Sequence, residues 1–446
     1  MSKNIKLPQI VIVGGGFAGA YCARTLEKSL RRDEAQVTII NRNNYFAFTP
    51  LLIEAGTGAL EPRHALVPLR RFLRLATFQT GSVTNIDLDG REVHFRRFDG
   101  SEGVVPYNHL VLALGSITRM PDVPGLREHG FGMKSLADAV ALRDRAVDLL
   151  EVADQTDDVD RRRALLTFVI VGGNYTGVEI AGEFNEFLTS ATRYYRNVSR
   201  DDIRIVLVDH EERILHTLDE ELSRYASERL QQRGVQLHLK NTVTRIEAHA
   251  AELGHGGTIP AWTVIWAAGV APNPLLSNLE LECDERGYLV CQADLSMKDR
   301  EGVWGIGDCA INPDPHGKPY APTAQHAIQE GRQVARNICR VLRKQPTEPL
   351  VYQSRGMMAP LGQHQAVARV FGCRFSGLPA WFLWRTFYLL KMPGIGRKLR
   401  VMMDWTLDWF FRRDYVQLGI HRTHHPGAGD AGDAETVGVG KWNGNG

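Results

Sequence analysis

Few features of this sequence point straight to a chemistry, and its shortages are informative. The six cysteines (Cys22, Cys283, Cys291, Cys309, Cys339 and Cys373) form no C-x-x-C pair and no metal-like spacing. That excludes a zinc ribbon, a disulfide-stapled scaffold and a local dithiol centre, and it suits a reducing compartment with incidental thiols. Three histidines near the end, His421, His424 and His425, stand beside Pro426 and glycines with no framework to hold an ion, so no metal is expected. Neither sign of charge is in excess. Fifty-three Lys and Arg face 51 Asp and Glu, a formal +2, so no global field argues for nucleic acid. No stretch approaches the ~20 uninterrupted apolar residues that cross a bilayer. The start, MSKNIKLPQIVIVGGG, enters a strand without a cationic, apolar and small-residue cleavage pattern, so a cytoplasmic site of work is expected.

Glycine is plentiful and organised. The β-branched run Ile10 to Val13 is followed by Gly14-Gly15-Gly16-Phe17-Ala18-Gly19, a helical stretch from Ala18 to Leu30 and a second apolar run at Val37 to Ile40. This is strand, turn, helix, strand. Gly14, Gly16 and Gly19 match G-x-G-x-x-G, which permits the turn, lets backbone approach a pyrophosphate and lets the helix pack on the strand, with the phosphates on free helix N–H groups. An acid usually closes the second strand to grip the adenosine ribose. Here Asn41, followed by Arg42, stands in that place, keeping a carbonyl acceptor without the charge.

The pattern recurs. A strand at Phe168 to Val171 leads into Gly172, Gly173, Asn174, Tyr175, Thr176 and Gly177, a helix to about Phe187, and a strand Ile203 to Val208. Asn174 replaces the third glycine. Asparagine tolerates left-handed geometry, so the turn is expected to survive, with the ligand further off or the amide bonding a phosphate. Asp209 closes this second unit as a ribose acceptor, and Glu211 and Glu212 would repel a 2'-phosphate, which favours NADH over NADPH. Two dinucleotide turns in one chain imply two dinucleotides that must meet, a tightly held FAD and an exchanging NADH. The fold class expected is α/β, with two Rossmann-like dinucleotide-binding domains.

Five longer stretches carry a family resemblance: NRNNYFAFTPLL (from Asn41), TGVEIAGEF (from Thr176), VIWAAGV (from Val264), VWGIGDCA (from Val303) and APTAQHAIQEG (from Ala321). Over roughly Gln9 to Leu418 the chain resembles the type II NADH:quinone oxidoreductases, flavoproteins of disulfide-reductase architecture. The resemblance implies that Asp308 binds the ribityl chain of FAD and that Thr49, Ala324 and Gln325 lie beside its ring. It implies that Val83, Ala113 and Gly115 join the FAD-binding set, and that Ala268 and Gly269 join the NADH-binding set. Glu179 matches a glutamate that positions nicotinamide or serves proton uptake, with a bland alternative as a first-turn carboxylate satisfying the helix dipole. Gln325 and Gln329, four apart on one helical face, can hold a quinone carbonyl, whereas His326 reads as structural.

The domains expected are a discontinuous FAD-binding domain (1–120 and 285–345), an NADH-binding domain (121–284), a membrane-associated region (346–420) and a disordered tail (421–446). Four of the eight tryptophans, Trp381, Trp384, Trp405 and Trp409, fall in the third region among Arg385, Lys391, Arg397, Lys398 and Arg400. Two amphipathic helices split near Pro393-Gly394 would set these aromatics at the headgroup boundary of the cytoplasmic side of the inner membrane, as a peripheral protein. The expected partners are a quinone and that membrane, with a homodimer left open. The expected activity is non-pumping hydride transfer from NADH to FAD and two-electron reduction of the quinone. Rival readings are a soluble reductase of a small redox protein and a sulfide:quinone reductase, the latter disfavoured because no cysteine lies between Cys22 and Cys283.

Overall fold

The computed structural model describes residues 7–31 and 33–419, and the histidines and tail from 420 onward lie outside the described residues. Along the chain, helices form at Phe17–Ser29 (α1), Leu52–Gly56 (α2), Tyr175–Ala191 (α3), Ala324–Leu342 (α4), Gly377–Lys391 (α5) and Ile395–Phe410 (α6). The chain divides into two compact units. The first takes Met1–Ala47, Leu66–Ile117 and Val270–Ser354, and the second takes the segments between them and the remainder, Arg355–Gly446.

In the first unit a five-stranded sheet runs Val303–Gly305, His109–Leu112, Gln9–Val13, Gln36–Asn41, Thr77–Thr80. All pairings are parallel, with Ile12 opposite Ile39 on one side and Val111 on the other. Ile10 to Val13 and Leu110 to Leu112 are buried without alternation, as parallel strands covered on both faces require. Helix α4 lies directly on α1. A Cβ at Gly331 would meet the Ala18 carbonyl oxygen at 2.2 Å, so only glycine permits this approach.

The second unit repeats the design with strands Gly130–Phe131, Thr263–Trp266, Thr167–Val171, Arg204–Val208 and Val235–His238, again parallel. Phe168 and Ile170 of the sheet and Phe184 and Phe187 of α3 are fully buried. An antiparallel sheet, Gly356–Pro360, Ala366–Val370 and Cys373–Ser376, follows and leads into α5. It packs against α3 where a Cβ at Gly182 would meet the Leu361 carbonyl carbon at 2.4 Å. The charged stretch after Asp154 folds as helix Val159–Leu165. Asp158 starts it by accepting from the amides of Asp160 and Arg161.

Candidate functional site

In the first unit the glycine turn joins Gln9–Val13 to α1. Gly14 has φ +104°, and a Cβ there would meet the Ala113 carbonyl oxygen at 2.1 Å; a Cβ on Gly19 would meet the Gly14 carbonyl oxygen at 2.0 Å. Gly16 differs, because nothing lies within 4 Å of the place its Cβ would take. It is the N-cap of α1 and offers no side-chain cap to the first amides of the helix. Ala18 lies buried behind it, and the Phe17 ring packs edge-on against Phe46.

Asn41 also has partners inside the protein. Its Oδ1 accepts from the Gly15 amide at 2.9 Å, and its Nδ2 donates to the carbonyls of Asn43 at 2.7 Å and Tyr45 at 3.4 Å. It thus fixes the turn from behind. Arg42 beside it is exposed.

Asp308 lies in the turn Gly307–Cys309 after Val303–Gly305, and Ser116 Oγ donates to its Oδ2 at 3.1 Å. Gly115 precedes Ser116 at φ +67° with open space around it, as the tight turn after LVLAL requires. The turn is held from α4 by Glu330, whose Oε2 accepts the Gly307 amide at 2.6 Å. Burial pushes the Glu330 carboxyl up to about 7 against that bond. Ala18 and Gly307 approach closely, so α1, the Asp308 turn and α4 converge within this unit.

Gln325 and Gln329 are both half-buried near the start of α4, beginning at Ala324. Tyr352 Oη donates to Gln325 Oε1 at 3.2 Å. His326 is buried and its Nδ1 is 2.7 Å from Thr323 Oγ1, the N-cap of α4, in keeping with a structural role. Val83 lies in strand Ser82–Asp87 and packs on the hydrophobic cluster around Ile86 and Tyr107.

In the second unit Gly172 carries the left-handed backbone, φ +114°, and a Cβ on Gly177 would meet the Gly172 carbonyl oxygen at 1.8 Å. Asn174 needs no left-handed tolerance: it is extended at φ −76° and is the N-cap of α3. Its Oδ1 accepts from the Gly177 amide at 3.1 Å, and its Nδ2 donates to the Ala267 carbonyl at 2.7 Å. Both ends of the amide are used inside the protein. Asp209 holds the Gly173 amide through Oδ2, as Asn41 holds Gly15, and its Oδ1 accepts the Glu211 amide at 2.7 Å. Glu212 pairs with Lys240 at 2.6 Å, so a cation offsets the charge expected to repel a 2'-phosphate.

Tyr175 Oη bonds Met357 Sδ at 3.2 Å, and Thr176 is half-buried beside it. Ala268 and the left-handed Gly269 follow strand Thr263–Trp266. Thr49 opens the turn Thr49–Leu51 ahead of α2. Glu179 lies beyond the first turn of α3, which contains no acid, so the dipole reading does not apply to it. Burial, then Glu183, then Glu54 raise its pKa well above the carboxylate range.

Residues 8–331 match the pyridine nucleotide-disulphide oxidoreductase family, and residues 354–414 match the NDH2 C-terminal domain. A type II NADH:quinone oxidoreductase of Staphylococcus aureus is 30% identical over 406 residues, 87% of this chain and 96% of that one. The chain belongs to the type II NADH:quinone oxidoreductases. The Mycobacterium tuberculosis member is 31% identical, covering 91% of this chain and 89% of its own. In fold, the chain matches the Plasmodium falciparum NDH2 solved with NADH at TM-score 0.84 and 18% identity, over 92% of this chain and 99% of that one. Like the family to which it belongs, the enzyme oxidises NADH and reduces a quinone through a flavin.

The family name mentions disulphides, but all six cysteines here are free. Cys309, next to Asp308, bonds the Ile306 carbonyl at 3.2 Å, and burial pushes its thiol up to about 12, far from a reactive thiolate. Sequence reasoning missed Ser116, Glu330, Glu54 and Glu183. The signal for Glu54 was an acid inside the apolar run LLIEAG, and for Glu183 a second acid one turn after Glu179.

Proposed function

We propose that the first unit holds FAD and the second holds NADH, with the residues described above in those roles, and that α5 and α6 seat the enzyme on a membrane carrying its quinone. FAD, when bound, supplies a carrier that takes a hydride from NADH and hands two electrons to the quinone. Gly16 and the uncapped start of α1 receive the pyrophosphate, and Asp308 accepts a ribityl hydroxyl. The turn at Gly172 to Gly177 receives NADH, and Asp209 fixes it while offering its carboxylate to the ribose. Gln325 and Gln329 hold the quinone carbonyl. None of these groups acts as a nucleophile, so this chain contributes orientation.

The observation that carries this reading is the repeated device of a glycine turn whose second amide is pinned by the residue closing the next strand, Asn41 in one unit and Asp209 in the other. The test is NADH oxidation with and without a short-chain quinone. Oxidation that requires the quinone, and that is lost when Asp308→Ala empties the protein of flavin, supports the assignment. Equal rates without any quinone contradict it.

Membrane seating rests on the outer faces of α5 and α6. Leu390, Ile395, Leu399, Met403, Leu407 and Phe410 are 50–78% exposed, beside Lys391, Arg397, Lys398 and Arg400. Such an apolar face with flanking cations fits an anionic interface. No described helix is long and apolar enough to cross a membrane. The tryptophans are not its main anchors: Trp381, Trp384 and Trp405 are 2%, 1% and 6% exposed, and only Trp409, at 50%, faces outward. The free cysteines favour the cytoplasmic side. Flotation with anionic liposomes supports this seating, whereas a stable dimer that ignores liposomes would make the same face a subunit interface.

A further inference from the structure

The second unit gathers four carboxyl groups, Glu54 and Glu183 buried among them, around two guanidinium groups. Glu54 of α2 and Glu183 of α3 are 5% and 4% exposed. Trp405 Nε1 of α6 donates to Glu54 Oε2 at 2.8 Å, and Arg385 Nη2 of α5 is 3.5 Å from Glu54 Oε1. The Arg385 guanidinium lies between two indoles, 3.9 Å from the Trp381 ring centre and 4.7 Å from that of Trp405, and its Nε has no hydrogen-bond partner among the described residues. Arg413 Nη1 is 3.4 Å from Glu183 Oε2, and its Nε donates to Asp408 Oδ1 at 2.8 Å. Thr57, one turn after Glu54, reaches Glu183 Oε2 at 3.4 Å. Glu179, four residues before Glu183, shares its face of α3.

Glu54, Glu179, Glu183 and Asp408 fully ionised would outnumber Arg385 and Arg413 by two charges. Uncompensated charge in a desolvated site is costly, so protons stay in the cluster. Burial first, then Glu183, raises the Glu54 carboxyl, while Arg385 and the Trp405 indole oppose that rise. Of the other facing groups, burial keeps Tyr388 of α5 and Tyr175 of α3 as neutral phenols, and burial first, then Arg385, holds the imidazole of His364, packed on Trp381, below its usual range. Arg143, on the helix packed against α2, is taken up by the carbonyls of Asp414 and Val416.

The reaction, NADH + quinone + H+ giving NAD+ + quinol, takes one hydrogen from the hydride and one proton from water. We propose that Glu54 stores that proton for the quinone step, passing it to Glu179 past Glu183, while Trp405 and Arg385 stabilise the carboxylate left behind. The destination of the proton rests on the quinone-reductase reading, and the storage by Glu54 does not. Glu54 acts through Glu179 and touches no substrate.

The test uses the holoenzyme between about pH 5 and 9. Tryptophan emission of the parent should step with pH as the Trp405 indole gains an anionic acceptor, and the step should vanish in Glu54→Gln and in Trp405→Phe. In rapid mixing, Glu54→Gln should leave the NADH step within about twofold and slow the quinone step about tenfold at pH 8. Trp405→Phe removes a donor to the carboxylate and should move the quinone-step pH profile about one unit alkaline. An emission step that persists in Glu54→Gln, or an unchanged quinone-step profile in that isosteric variant, overturns the proposal. A parent that no quinone reoxidises sinks the functional reading instead, and the emission step still decides whether Glu54 stores a proton.

Discussion

The substitution Asn41→Asp would appear to repair the chain, since an acid at the end of this strand is the usual grip on a ribose. The structure predicts the reverse. Asn41 Oδ1 holds the Gly15 amide at 2.9 Å, a bond that aspartate would keep. Asn41 Nδ2 donates at 2.7 Å to Asn43 and at 3.4 Å to Tyr45, and aspartate would replace that donor with a carboxylate oxygen facing two carbonyls. Losing the bond costs about 1 kcal/mol, and the acceptor-to-acceptor contact, eased by water at this half-buried site, costs about 1 kcal/mol more. For a unit of this size, about 2 kcal/mol lowers the melting point by roughly 4–8 °C. The assay is thermal release of FAD, followed by its fluorescence, together with a titration of flavin-stripped protein. Asn41→Asp should release FAD earlier and rebind it roughly tenfold more weakly, since about 1.4 kcal/mol is one decade. A variant that melts with the parent and binds FAD more tightly would refute the assignment of Asn41 to the turn and return it to the ribose.

Asn174→Ala should cost about 2 kcal/mol by calorimetry, from the lost cap on Gly177 and the orphaned Ala267 carbonyl. Asn174→Gly frees the Gly177 amide for a ligand and should lower the KM for NADH, and a higher KM contradicts the capping account. Glu330, pushed up to about 7 from an ordinary 4.5, binds its proton more tightly folded than unfolded. Its penalty is therefore absent at low pH, grows as pH rises from about 4.5, and reaches about 3 kcal/mol above pH 7. Glu330→Gln, which keeps an acceptor for Gly307, should flatten the fall in melting temperature between about pH 5 and 8, and parallel curves would refute this. Replacing Leu390, Leu399 and Met403 by serine should release the enzyme from anionic liposomes with its melting point unchanged. Trp381→Ala should instead cost about 3–5 kcal/mol, as expected for a buried ring, and retention of liposomes by the serine variant would reject the proposed face.

Both βαβ units were legible because their signals are local. Four β-branched or aromatic residues, a glycine turn whose first and last positions tolerate no Cβ, and an amphipathic helix leave little choice of fold. The break at Pro393-Gly394 was legible for the same reason, and α5 and α6 end and begin beside it. What local patterns did not announce was the set of internal partners. Asn41 and Asn174 were read as ligand contacts, and each amide also holds backbone groups, two of them distant in sequence: Gly15 for Asn41 and Ala267 for Asn174. The clustered tryptophans read as an interfacial belt, but indoles flanking a buried guanidinium look the same in sequence. Glu54 and Arg385 are 331 positions apart, and no local period announces an ion pair between them. The helix Val159–Leu165 was hidden by its charges, since DVDRRR resembles a linker until Asp158 is seen as a cap.

The central claim is that one chain holds a flavin and admits NADH to reduce it. An anaerobic titration of the purified enzyme with NADH, read at the flavin absorption band, tests it most directly. The account predicts a yellow protein that bleaches at one NADH per bound FAD and regains its colour with one equivalent of a quinone analogue. A protein that is colourless and takes up no added FAD, or whose colour NADH leaves untouched, would contradict it.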